Sequence, residues 1–215
     1  MRHRAVLFDL DGTLVNTIGL WAEAYLATLR EAGVELSMED FLKTTYTQNR
    51  HFEEVLKDFS LDVSRADSFR SSRDGRYMEL LRTAPLWLEG AQEVLGLVQK
   101  TYMTGIVTGS HLHYIEAMET QLPLRSIVPI IITCDDMKGR TKPHPYGLLL
   151  ACERLGVAPE ECVYIGDQEF DIAAANSAGM TSCLLWTHYT PATADEYADM
   201  TVTSLREIPS LLGIS

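Results

Sequence analysis

The chain has 215 residues, more than one average domain of about 100–200 residues needs, and it is 46% hydrophobic and 22% charged, a balance that buries a core and excludes a disordered polymer. Eighteen basic against 30 acidic side chains give a formal net charge of -12 with no Lys/Arg block, which argues against a nucleic-acid backbone or an anionic membrane surface as the main partner. A small anionic substrate stays open, provided that a metal or a few convergent donors offset the repulsive field of the whole protein.

In chain order, the first predicted element is a strand over 4–8. Basic residues precede its apolar part, but Asp9 and Asp11 interrupt it after four apolar residues, where a secretory signal needs about 7–15. No apolar run approaches the roughly 20 residues of a membrane helix. Cys134, Cys152, Cys162 and Cys183 stand singly, without C-x-x-C spacing, as buried thiols in a reducing cytoplasm would. The expected location is therefore cytoplasmic.

From 16 to 83 the pattern is helical throughout. Thr17 reads as a cap before Leu20, Trp21, Ala24, Tyr25 and Leu29; Gly33 reads as a stop, Ser37-Met38-Glu39-Asp40 as a capping box and Ser64 as another cap. Strands then follow at 102–107, 128–133, 162–165, 181–185 and 200–202. Helices are expected near 90–100, 111–121, 146–155 and 169–178, the last closed by Gly179. Apolar strands alternating with helices imply a parallel sheet covered on both faces. The expected architecture is a doubly wound α/β core of 1–15 and 84–215 with an inserted all-helical cap of 16–83.

In open α/β sheets the ligand sits beyond the carboxyl ends of the strands. The residues there are Asp9-Leu10-Asp11-Gly12-Thr13, then Thr108-Gly109-Ser110, then Lys142-Pro143, and finally Gly166-Asp167 with Asp171. Each has a plainer reading on its own: an Asp-Gly turn, a helix cap, a solvated lysine, a carboxylate in a helix's first turn. Their shared placement after successive strands favours a site. In an extended chain Asp9 and Asp11 share a face, where two carboxylates repel unless a cation intervenes, and Asp167 sharpens the conflict. An oxygen-only set suits Mg²⁺, while Lys142 and Thr108 supply a charge and donors for a bound anion such as phosphate.

Taken in order, and extended to Lys142-Pro143-His144-Pro145 and Gly166-Asp167-Gln168-Glu169-Phe170-Asp171, these residues resemble the four motifs of the haloacid dehalogenase superfamily, on its phosphoglycolate phosphatase and β-phosphoglucomutase-like branch. The helical cap inserted after the first motif is part of that resemblance. It implies that Asp9 is a nucleophile forming an aspartyl-phosphate and that Asp11 protonates the leaving alcohol, then deprotonates the attacking water. Thr108, Gly109 and Lys142 would hold the phosphoryl group. Mg²⁺ would be held by Asp9, Asp167 and the main-chain carbonyl of Asp11, and Asp171 would orient a metal-bound water or Lys142.

The second Asp of the pair separates phosphatases and phosphomutases from dehalogenases, and Thr13 leans toward a phosphatase. The reading is thus a Mg²⁺-dependent phosphatase acting on a small phosphorylated metabolite, as a monomer or homodimer. A phosphomutase is the first rival. A phosphonatase, which would need Lys43 or Lys57 as a Schiff base, and a phospho-accepting signalling domain rank lower. Substrate choice is expected in the cap, where Tyr46, Gln48, Asn49 and Arg50 are polar enough to touch a leaving group, although the segment lacks the glycine that relatives usually carry and a solvated helix is the plainer reading. His111 and His113, two apart on a helix, would face different sides and could not chelate one ion together.

Overall fold

The computed structural model describes residues 3–46, 50, 52–191 and 193–214. The chain divides into two compact units, Met1–Asn16 with Pro85–Ser215, and Thr17–Ala84. After β1 (Ala5–Phe8) the path enters the second unit through α1 (Ile18–Glu31), then α2 (Met38–Phe41) running into a π-helical turn over Leu42–Tyr46, α3 (Phe52–Asp58) and α4 (Ala66–Thr83). It returns to α5 (Ala91–Val98), β2 (Met103–Val107), α6 (Leu112–Met118), α7 (Leu124–Ile127), β3 (Ile131–Ile132), α8 (Cys134–Met137) and α9 (Tyr146–Leu155). β4 (Cys162–Gly166), α10 (Glu169–Ala178), β5 (Thr181–Leu185), β6 (Met200–Val202) and α11 (Ile208–Leu211) complete it.

In the helical unit, α1 buries Ile18, Ala22, Tyr25 and Leu29, a spacing of four, three and four that lays one stripe along the helix. Ala22, Tyr25 and Leu29 of that stripe cluster with Phe41, Phe52, Leu56 and Phe69, with the Tyr25 ring 4.9 Å from Phe41 and 4.7 Å from Phe52. Gly33, at φ +83°, takes the left-handed turn that ends α1. Ser37 caps α2 as expected, its Oγ accepting from the Asp40 N–H at 3.1 Å. The expected cap at Ser64 is corrected to Asp62, whose carboxylate accepts the Ser64 N–H at 2.9 Å, because a 3₁₀ turn over Val63–Arg65 precedes α4.

The α/β unit is built on one six-stranded sheet in the order β3-β2-β1-β4-β5-β6, and every pairing is parallel. β1 and β4 are buried at every position, the signature of a sheet covered on both faces. The structure shortens β3 from the expected 128–133 to two residues. Pro129 has no N–H for the ladder, and α7 occupies the residues just before it. Phe8 stands level with both Ile106 and Ile165, so the chain leaves β1, β2 and β4 at nearly the same height. The path winds outward from β1 to β3 and then crosses back to β4, which makes the β1–β4 border the point where the strand order reverses. Among the described residues no helix is long and apolar enough to cross a membrane.

Candidate active site

Beyond the β1–β4 border the Asp9 N–H still bonds the Ile165 carbonyl at 2.8 Å, which fixes Asp9 as the first residue past the sheet. Gly12, at φ +83°, then lets the chain turn sharply, and its N–H reaches the Val15 carbonyl at 2.8 Å. The Asp-Gly turn and the site are the same feature. Asp9 is 4% exposed, so its carboxylate needs partners. Its Oδ1 accepts from Lys142 Nζ at 2.7 Å, and the same ammonium donates to Asp171 Oδ1 at 2.5 Å and to the Tyr164 hydroxyl at 2.9 Å.

Asp171 reaches this place because Gly166 has no side chain. A Cβ built on Gly166 would lie 2.5 Å from both Cβ and Cγ of Asp171. The second Asp171 oxygen accepts the Gln168 N–H at 3.1 Å, which closes the first turn of α10. Asp167 is fully buried between donors: Thr13 Oγ1 at 3.1 Å from one oxygen and Gln168 Nε2 at 2.6 Å from the other. Thr190 Oγ1 donates to its main-chain carbonyl at 2.8 Å.

Thr108, also fully buried, donates to Asp11 Oδ2 at 2.9 Å, and Ser110 Oγ donates to the same oxygen at 2.8 Å. The second motif thereby orients the first. Gly109 is exposed, with open space where a Cβ would stand.

Carboxylate oxygens of Asp9, Asp167 and Asp171 lie within 4.8 Å of one another, the one such group among the described residues. Asp9 and Asp167 come together as the resemblance implies. The Asp11 carboxylate instead faces Thr108 and Ser110 and does not belong to this group. Asp171 is paired with Lys142.

Burial sets the proton equilibria. Desolvation pushes the Asp9 carboxyl well above the ordinary range; Lys142 opposes this and the neighbouring carboxylates reinforce it. Desolvation also raises Asp167 to about 7, helped by Asp171 and opposed by the hydrogen bonds from Gln168 and Thr13. For Lys142, desolvation acts to lower the pKa, but Asp171 and Asp9 outweigh it and hold the ammonium well above its usual value. The lysine stays charged.

A family model described as haloacid dehalogenase-like hydrolase matches residues 6–185. The chain belongs to the haloacid dehalogenase-like hydrolases. It is 34% identical over 185 residues to a phosphoglycolate phosphatase of Xanthomonas campestris pv. campestris (strain 8004), covering 85% of this chain and 83% of the relative. It is 30% identical over 202 residues to the pyrophosphatase PpaX of Bacillus cereus (strain AH820), covering 87% and 85%. Among solved structures, a HAD family hydrolase from Deinococcus radiodurans R1 with bound phosphate and sodium superposes with a TM-score of 0.80 at 26% identity, over 99% of this chain and 97% of that one.

Within this haloacid dehalogenase-like site, sequence reasoning missed Tyr164 and Thr190, and it named Ser110 and Gln168 in the motifs without giving them a role. Tyr164 carried a faint signal, a hydroxyl in the otherwise apolar strand Cys-Val-Tyr-Ile-Gly. Thr190 carried none, since it lies after β5 and reaches Asp167 only through the fold. In the helical unit, Gln48 and Asn49 lie outside the described residues. Tyr46 is half-buried at the end of the π-helical turn. Arg50 donates to Asp58 Oδ2 at 2.7 Å in an exposed pair. Lys43 and Lys57 are exposed, an environment that does not desolvate an amine for Schiff-base chemistry. His111 and His113 correct the expectation of opposite faces: His111 precedes α6 in extended backbone, and the two rings stack with centroids 5.5 Å apart.

Proposed function

We propose that this chain is a Mg²⁺-dependent phosphatase that hydrolyses a small phosphate monoester through an aspartyl-phosphate on Asp9. The observation that carries the reading is the buried group of Asp9, Asp167 and Asp171 around the single ammonium of Lys142. Three carboxylates against one ammonium leave two negative charges, which one divalent cation balances. The donors fit a hard ion: Asp9 and Asp167 present oxygen only, and both resist ionisation without a cation. When bound, Mg²⁺ supplies positive charge for the phosphoryl oxygens as negative charge builds on them.

The chain's own residues do the rest. Lys142 holds the Asp9 carboxylate in place and offsets its charge, so that an Asp9 oxygen can bond to phosphorus as the bond to the leaving oxygen breaks. Asp11, its Oδ2 fixed by Thr108 and Ser110, gives a proton to that leaving oxygen. In the second half, Asp11 takes a proton from a water whose oxygen bonds to phosphorus, and the Asp9–phosphorus bond breaks to restore Asp9. The positive charge of Lys142 offsets the negative charge of the phosphoryl oxygens, and the Thr108-Gly109 turn orients them.

The relatives' names span phosphoglycolate and pyrophosphate chemistry, which supports phosphoryl hydrolysis over a dehalogenase reading. The four cysteines are free, which fits a reducing cytoplasm. The substrate is a small phosphorylated metabolite, and the chain acts as a monomer or homodimer. The test is phosphate release from a generic aryl phosphate with Mg²⁺ or with excess chelator. Release only with the ion supports the reading; equal release under chelation removes the metal from it.

A further inference from the structure

Tyr164 lies at the centre of β4, fully buried in the apolar core on that side of the sheet. A phenylalanine would pack there with no hydroxyl to desolvate, so the oxygen needs a purpose. Its bonds supply one. The phenol spans from β4 past β1 to donate to the Val107 carbonyl, at the end of β2, at 3.0 Å, and it accepts from Lys142 Nζ at 2.9 Å. Asp171 Oδ1 lies 3.2 Å from the same hydroxyl, so the shorter of its two acceptor contacts is the one to Val107.

An ammonium has three N–H donors and no acceptor. Here they go to Asp9 Oδ1, Asp171 Oδ1 and Tyr164, of which only the phenol is neutral. We propose that Tyr164 is a positioning residue for phosphoryl transfer, whose hydroxyl, anchored on Val107, sets the third direction of the Lys142 ammonium and so keeps it on Asp9. This rests on Asp9 being the nucleophile. With two carboxylate partners alone, the ammonium can swing toward Asp171 and leave Asp9 misaligned for attack. A carboxylate in place of the phenol would fix the lysine equally but would add negative charge where a phosphoryl dianion must bind.

Val107 immediately precedes Thr108, whose hydroxyl orients Asp11. One phenol therefore connects the turn that holds the proton donor to the lysine that holds the nucleophile. Small errors in such an arrangement lower the rate of the chemical step more than they lower binding.

Two measurements test this. In Y164F, kcat for an aryl phosphate should fall about tenfold with KM within about twofold of wild type, since the substrate's own contacts persist. Independently of activity, ¹H–¹⁵N correlation of the lysine ammonium groups in wild type should show one protected signal, assigned to Lys142 by its loss in K142R, and this signal should broaden or vanish in Y164F. Unchanged kcat together with an unchanged Lys142 signal would overturn the proposal. So would a joint loss of kcat, KM and thermal stability with the signal intact, the mark of a purely structural tyrosine. If Y164F fails to fold, absence of a protected Lys142 signal in wild type overturns it instead. A wild-type chain that releases no phosphate, yet has a protected signal that Y164F loses, would refute the phosphatase reading and retain the Tyr164–Lys142 linkage.

Discussion

Lys142 and Asp9 are 133 positions apart in sequence, yet Nζ and Oδ1 meet at 2.7 Å with both side chains almost entirely buried. Such a pair is costly to break, because removing one partner leaves an uncompensated buried charge. Its presence at the mouth of the sheet, where no packing need requires it, identifies a functional investment.

Replacing the ammonium with an isosteric apolar chain should separate stability from catalysis. Lys142→Met is expected to abolish measurable turnover and to cost about 3 kcal/mol of stability at pH 8. The cost should shrink at pH 6, because Asp167, raised to about 7 by burial, takes up a proton there. Denaturant unfolding at the two pH values checks this; equal losses at both would contradict the charge account.

Metal-free stability should fall as pH rises through neutrality. The Asp167 carboxyl is raised to about 7 in the fold, against about 3.9 in an unfolded chain. A raised carboxyl contributes stability fully present below the unfolded value and lost as pH climbs through the folded one. Thermal unfolding in chelator should therefore show a lower Tm at pH 8 than at pH 6, and Asp167→Asn should flatten that slope. Mg²⁺ affinity should rise over the same window, since the ion displaces a proton.

Two glycines of the motifs should respond differently to alanine. Gly166→Ala places a methyl 2.5 Å from Asp171, and is expected to cost about 2 kcal/mol and to lower kcat more than tenfold as Asp171 releases Lys142. Gly109→Ala meets open space and keeps its main-chain N–H, so activity and Tm should stay close to wild type. Paired kinetics and melting curves would show it; a tolerated Gly166→Ala would contradict the packing argument.

The proton donor's orientation can be probed through its two hydroxyl partners. Thr108→Val and Ser110→Ala each remove one hydroxyl donor from Asp11 Oδ2, and each should lower kcat severalfold. The double variant should lose more than tenfold on poor leaving groups and less on a nitrophenyl ester, which needs little protonation. Identical losses on both esters would remove Asp11 from the acid role.

Much of this was legible in the chain because each motif follows an apolar run whose end is easy to read. Phe8 followed by Asp9, and Ile165 followed by Gly166-Asp167, mark the exit from β1 and β4 directly. Lys142 was harder to place, since the shortened β3 and α8 separate it from its strand, and only its position at some distance after the third strand was legible. Tyr164 was hidden because a buried tyrosine and a buried phenylalanine give the same periodicity. Its role depends on reaching Val107 across β1, which strand order decides and local sequence does not. Asp62 displaced Ser64 as a cap for a local reason, the 3₁₀ turn inserted before α4.

The central claim is a covalent bond between phosphorus and an Asp9 carboxyl oxygen, and rapid acid quench of a single turnover with a ³²P-labelled monoester tests it most directly. The account expects label on the peptide containing Asp9 within the first turnover, at no more than one equivalent per chain, and none in Asp9→Asn. Full phosphate release with that peptide unlabelled at every time point would contradict it.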